Sequence, residues 1–294
     1  MICGCFSLAW MGQFAHLLRD QCDWRIVALA RSSLAFLFAF GLARVTGANL
    51  VFWRPGALWI RGCASSVSLL CTFFALGQLP TSEVLTLTNT FPIWVALLSW
   101  PLLRIRPSLS VWLAAGFGVA GVALIQSPHF EVNAKATQAV VLSLTAALTS
   151  AIAMLGLHRL KGVHPWAIVT HYSGVATIFV LGSWLVGGPP DLASVAERST
   201  LLLLVGVGAT ATLGQLCVTQ AFTYGNPARV SVVGLMQIVF ALGLDLCIDA
   251  PSVQPIMLAG IALVLAPTGW MLIGSLPRMQ RPLGNVEPLK QAGY

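Results

Sequence analysis

Ten stretches of this chain, each close to 20 residues long, contain almost nothing but apolar side chains. They run Ile2–Leu18, Ile26–Ala43, Leu58–Leu76, Val84–Leu103, Leu109–Gln126, Ala139–Leu157, Ala167–Val186, Leu201–Phe222, Val230–Leu246 and Ile256–Ile273. A helix crosses the hydrocarbon of a bilayer in about 20 residues, so each stretch predicts one span. The connections are short and the tail from Ser275 is polar. No soluble domain fits between them. Charge settles the solvent: 16 Lys and Arg with 9 Asp and Glu make 25 charged residues, where a soluble chain of this length carries about 73. Most of the outer surface must therefore meet lipid. The expected fold is an all-α integral membrane protein with ten transmembrane helices.

The net charge of +7 does not point to nucleic acid, because the basic residues are not clustered on one face. They sit singly or in pairs between apolar runs, as Arg104/Arg106 and Arg159/Lys161 do. With both ends cytoplasmic, eleven fall on the inside (Arg61 among them), four outside, and Arg31 within a span. That bias follows the positive-inside rule and predicts a bacterial inner-membrane protein with cytoplasmic termini. The first span has no basic leader and no cleavage-type site after it, so it reads as a short helix rather than a signal peptide. Seven cysteines without a CxxC pair indicate neither a disulfide framework nor a metal site. The sequence calls for no cofactor.

The chain repeats itself. A shift of 142 places Trp24, Ile26 and Val27 on Trp166, Ile168 and Val169. A shift of 146 places Leu58, Gly62, Leu70, Cys71 and Ala75 on Leu204, Gly208, Leu216, Cys217 and Ala221, and one of 144 takes Ala115-Gly116 to Ala259-Gly260. This predicts two five-helix halves, 1–128 and 137–274, joined at His129–Thr137, with 275–294 as a cytoplasmic tail. Five is odd, so the halves are inverted, an arrangement that recurs in secondary transporters.

The stretch from Arg61 to Trp100 resembles the third and fourth helices of EamA-type carriers of the drug/metabolite transporter superfamily. Arg61-Gly62, Phe74-Ala75-Leu76, Leu79-Pro80 and a Thr/Asn-rich helix centred on Pro92 carry the likeness, with Arg31 and the segment Ala221–Leu242 adding to it. The resemblance implies ten helices, cytoplasmic termini and a central cavity lined mainly by helices 1, 3, 4, 6, 8 and 9. It also puts the fifth and tenth helices at the periphery, as a homodimer contact. Two departures stand out. Arg104 and Arg106 replace the usual Gly-Glu after the fourth helix, and Gln237-Ile238 stands where the ninth usually has a kinking proline.

Polar groups within a span tend to face a cavity or another helix. The fourth span offers Glu83, Thr86, Thr88, Asn89 and Thr90, with Pro92 freeing the Thr88 carbonyl and kinking the helix. The amides Gln13, Gln215 and Gln237, able to donate and accept, join Thr86, Asn89, Thr90 and Ser150 as expected substrate contacts. Arg31, His171 and Glu83 are candidates for coupling or gating; Arg31 can also snorkel to the interface, and His171 can be a packed core histidine. Glu83 and Asp245 are expected near the outer surface. Small residues (Ala114/Gly118, Gly116/Ala120, Ala262/Ala266) read as packing positions. Scarce charge argues for recognition through amides and hydroxyls rather than salt bridges.

The expected function is a secondary transporter of a small polar metabolite, an amino acid or derivative, working by alternating access. A non-transporting receptor or scaffold is the alternative, and an intramembrane enzyme on a lipid-linked substrate a weaker one. The latter needs clustered acid–base or metal-binding groups, and no such pattern is present in the spans.

Overall fold

A computed structural model of the chain describes residues 1–273 other than 19–20, 54, 77, 80, 127–133, 189, 191–194, 196 and 249–253. The polar tail and most of the expected joint between halves lie outside the described residues. Among those described, the regular structure is helical throughout: α1 (Ile2–Leu17), α2 (Trp24–Val45), α3 (Ala57–Leu76), α4 (Thr81–Thr88), α5 (Phe91–Leu103), α6 (Leu109–Gln126), α7 (Ala134–His158), α8 (Pro165–Gly187), α9 (Arg198–Tyr224), α10 (Pro227–Gly234), α11 (Met236–Ile248) and α12 (Pro255–Ile273). Only helices satisfy their own backbone in hydrocarbon without a closed barrel. Among the described residues, eight segments are long and apolar enough to cross a membrane, with α10 and α11 together forming one. The other two expected spans are α1, with 16 residues, and the pair α4 and α5, with 8 and 13.

The outward faces are apolar. Leu37, Leu113, Ile178, Leu185, Leu202 and Trp270 are all exposed, as side chains meeting lipid should be. The protein is a multi-pass integral membrane protein.

The fourth and ninth spans are each divided, and this departs from expectation. Asn89 and Thr90 form a turn between α4 and α5, so Pro92 sits in the first turn of a new helix instead of kinking a continuous one. A missing N–H costs nothing there. The ninth span, which has no proline, breaks at Leu235 all the same. Gly234, a weak helix former, precedes the break, and the fully buried Leu235 packs where Gly118 of α6 has no side chain. The Cys5 thiol donates to the Val233 and Gly234 carbonyls at 3.5 and 3.6 Å.

The packing partners form a reciprocal pattern. Helix α3 packs on α7 and α9 on α1; α3 also meets α8 as α9 meets α2; α5 meets α7 as α11 meets α1. Helices α2 and α8 pair with each other, as do α6 and α12. Glycines allow the closest approaches. A Cβ on Gly121 or on Gly260 would stand 2.7 Å from the other's carbonyl oxygen. Ala114 and Gly118 face inward, whereas Gly116, Ala120, Ala262 and Ala266 are exposed on the outer surface.

Candidate functional site

Arg61, within the predicted span Leu58–Leu76, was counted among the basic residues on the inside; the structure corrects that count. It lies on the second turn of α3 and is 1% exposed, so the inside count of basic residues falls from eleven to ten. Its guanidinium donates through Nη2 to Gln215 Oε1 of α9 at 3.0 Å and through Nη1 to Ser65 Oγ. The cation also lies over the Tyr172 ring of α8, 4.3 Å from its centroid. Three helices thus fix one buried charge.

Arg61 opens onto a cavity of about 230 Å³. Its walls are Arg31 of α2; Arg61, Ser65, Ser68, Leu69, Thr72 and Phe73 of α3; Ser150 and Met154 of α7; Tyr172 of α8; and Gln215 of α9. Residues 61, 65, 68 and 72 are spaced i, i+4, i+7 and i+11, which puts them on one helical face. That polar stripe was present in the sequence and would have identified the wall. Ser68 Oγ donates to the Ala146 carbonyl at 2.9 Å and lies 2.7 Å from Ser150 Oγ, tying α3 to α7. Phe73 stacks on Trp24, with ring centroids 5.3 Å apart.

Of the expected residues, the structure brings Arg31, Ser150 and Gln215 together around this cavity. The others stand elsewhere. Asn89 Nδ2 and Thr90 Oγ1 donate to the Leu85 and Leu87 carbonyls at 2.7 and 2.6 Å, so both turn back on the end of α4. Thr86 is buried within α4. Gln13 is buried in α1 with Nε2 lacking a hydrogen-bond partner among the described residues. Gln237 is half-buried at the start of α11. Spans one, four and nine, which the resemblance assigns to the cavity, do not line it, whereas spans two and seven do.

His171 is buried beside Tyr172 and presents its ring edge-on to Trp59 at 4.9 Å. Glu83 also differs from expectation: it is 1% exposed, and Oε2 has no hydrogen-bond partner among the described residues. Near the end of α5, Arg104 closes the helix in a left-handed conformation and Arg106 lies 4.0 Å over Trp100. No group of three or more potential metal ligands occurs among the described residues.

A polar cavity between apolar membrane-spanning helices fits a membrane protein of the transporter class. The chain belongs to the EamA-like transporter family, whose model matches residues 1–127 and again 137–273. It is 27% identical over 219 residues to the pseudopaline exporter CntI of Pseudomonas aeruginosa, covering 74% of this chain and 75% of that one. It is 22% identical to mouse solute carrier family 35 member G1, over 63% of this chain and 52% of the relative. An uncharacterized transporter of Helicobacter pylori is 21% identical over 78% and 76% of the two chains. A solved crystal structure covers 93% of the chain, and 98% of its own, with a TM-score of 0.79 at 14% identity; it shares the fold.

Proposed function

We propose that the protein is a secondary transporter that moves a small polar metabolite, an amino acid or derivative, across the bacterial inner membrane. The observation that carries this reading is the cavity between α2 and α3 on one side and α7, α8 and α9 on the other, with eight polar side chains, Tyr172 included, on its walls. Polar groups are expensive in hydrocarbon and tend to mark substrate paths.

Ten spanning helices in two inverted halves fit the reciprocal packing, in which α3–α7, α3–α8 and α5–α7 are matched by α9–α1, α9–α2 and α11–α1. The divided helices fit too. Thr90 and Leu235, at the two breaks, are 145 residues apart, close to the 142–146 offsets of the sequence repeat. Interrupted helices at matching positions of two repeats are a pointer to alternating access. Both termini are cytoplasmic on this reading, from the basic-residue bias, now ten to four. The exposed Gly116, Ala120, Ala262 and Ala266 leave a small-residue face for a homodimer.

The test is a comparison of solutes inside and outside cells with and without the gene. A solute that accumulates inside the deletion strain and leaves cells that express the protein marks export, the direction named for the Pseudomonas relative; the reverse marks import. If no solute changes in either compartment, and reconstituted protein moves none of the amino acids or their derivatives, the reading fails.

A further inference from the structure

Resting on the transporter reading, we propose that the cavity recognises its solute by a carboxylate held between Arg31 and Arg61, so that the cargo is a small organic acid or amino acid rather than an uncharged metabolite. Two guanidinium groups line one cavity, and no carboxylate lines it among the described residues. Arg61 is almost wholly buried, and its partners, the Gln215 amide, the Ser65 hydroxyl and the Tyr172 ring, are all uncharged. Its Nε has no hydrogen-bond partner among the described residues. Arg31, half-buried, makes no hydrogen bond or ion pair among the described residues.

A buried cation without a counter-charge is costly, and a second cation on the same cavity adds repulsion. An anion entering the cavity relieves both. Arginine suits a carboxylate in particular, because its planar fork donates two parallel hydrogen bonds to the two oxygens. Arg61 arrives oriented: Gln215 and Ser65 hold its terminal nitrogens, so little side-chain freedom is lost when the solute binds. Ser68, Thr72 and Ser150 already donate within the protein, to the Ala146 carbonyl, the Ser68 carbonyl and Ser68 Oγ, which leaves their hydroxyl oxygens to accept from the rest of the molecule. The volume, about 230 Å³, leaves room for a small solute. The overall scarcity of charge argued for recognition through amides and hydroxyls rather than salt bridges; two arginines on one cavity, without an ion pair among the described residues, argue otherwise.

The experiment uses the full chain in liposomes and counterflow of a panel of amino acids and short hydroxy acids, each beside its own amide. The amide keeps size and shape and removes the carboxylate's negative charge. At least one acid should move ten or more times faster than its amide, and Arg31→Gln and Arg61→Gln should each erase that preference. Arg61→Lys should keep part of it, since charge remains while the fork is lost. Because Arg61→Gln can disturb folding, each variant is first checked for an unchanged elution profile and melting temperature; Arg31→Gln, at a less buried position, carries the test alone if the other aggregates. Amides moving as fast as acids, a preference that survives Arg31→Gln, or a panel in which only amides move would overturn the carboxylate site while leaving a transporter. If neither acids nor amides move, the transporter reading falls and takes this inference with it.

Discussion

The Phe91 ring meets Gly234 where the two divided helices cross, its Cζ 3.2 Å from where a Cβ on Gly234 would stand. Each residue flanks a break: Phe91 opens α5 and Gly234 closes α10. Phe91 also packs against three separate apolar clusters. Any movement of one broken helix over the other must pass this contact. Gly234→Ala adds one methyl against the far ends of the Phe91 and Met1 side chains, which can yield, so transport should stay near wild type. Gly234→Ile should displace the ring, cost about 1–3 kcal/mol as overpacking does, and slow counterflow at least tenfold. An isoleucine variant that transports normally would remove the crossing from the transport cycle.

Pro92 keeps α4 and α5 apart, because it has no N–H for the Thr88 carbonyl. Pro92→Ala restores that donor and permits one continuous helix. The expected result is an unchanged or higher melting temperature with lower turnover. A variant that melts lower and still turns over normally would show that the break serves folding instead.

The seam between α6 and α12 makes a sharper stability prediction. A Cβ on Gly260 would meet the Gly121 carbonyl oxygen at 2.7 Å and the Ile125 backbone nitrogen at 3.0 Å, and backbone cannot swing aside. Gly260→Ala should therefore lower the melting temperature by several degrees, through an overpacking cost of about 1–3 kcal/mol. Gly116→Ala, on the facing helix α6 but turned to open space, should be neutral or slightly stabilising. The pair of melts reads the seam directly.

The transmembrane character was legible because apolar runs and missing charge report the solvent. Boundaries came close: the predicted spans Leu109–Gln126 and Ile256–Ile273 differ from α6 and α12 by at most one residue. The break at Leu235 was not legible. No proline marks it, and the seat for Leu235 is Gly118, 117 residues away in the chain. Arg61 failed for a different reason. An arginine near the end of an apolar run is equally compatible with a loop and with a buried wall, and only Gln215 and Tyr172, brought in by other helices, decide between them. Asn89 and Thr90 looked like solute ligands because they are polar residues in an apolar span; their donors turn back on α4 where the chain turns.

Asp23 caps α2, its Oδ1 accepting the Arg25 backbone N–H at 2.8 Å, and its carboxylate pairs with the Arg25 guanidinium at 2.8 Å. The side-chain hydrogen bond from Arg25 holds the Asp23 carboxyl below its ordinary value of 3.8. A carboxyl whose folded value is depressed stabilises the fold above the unfolded value, and that contribution disappears as pH falls through the folded one. Asp23→Ala should thus cost about 1 kcal/mol near neutrality, as loss of an N-cap does, and nothing once both forms are protonated. Melts of the two proteins at pH 7 and below pH 3 check it. A gap that persists in acid would mean the residue acts by packing rather than by charge.

Gln215 offers the most discriminating substitution in the cavity. Its Oε1 already accepts from Arg61 at 3.0 Å, so Gln215→Glu places a carboxylate at that oxygen without changing size. The buried cation then has a permanent counter-charge, and a hydrogen bond with one charged partner becomes an ion pair. The melting temperature should rise. The same carboxylate competes with an incoming anion for Arg61, so counterflow of acids should fall at least tenfold while that of amides changes little. Gln215→Leu, which only removes the acceptor, should instead lower both stability and transport. If Gln215→Glu transported acids at the wild-type rate, Arg61 would be a structural charge and not a partner of the solute.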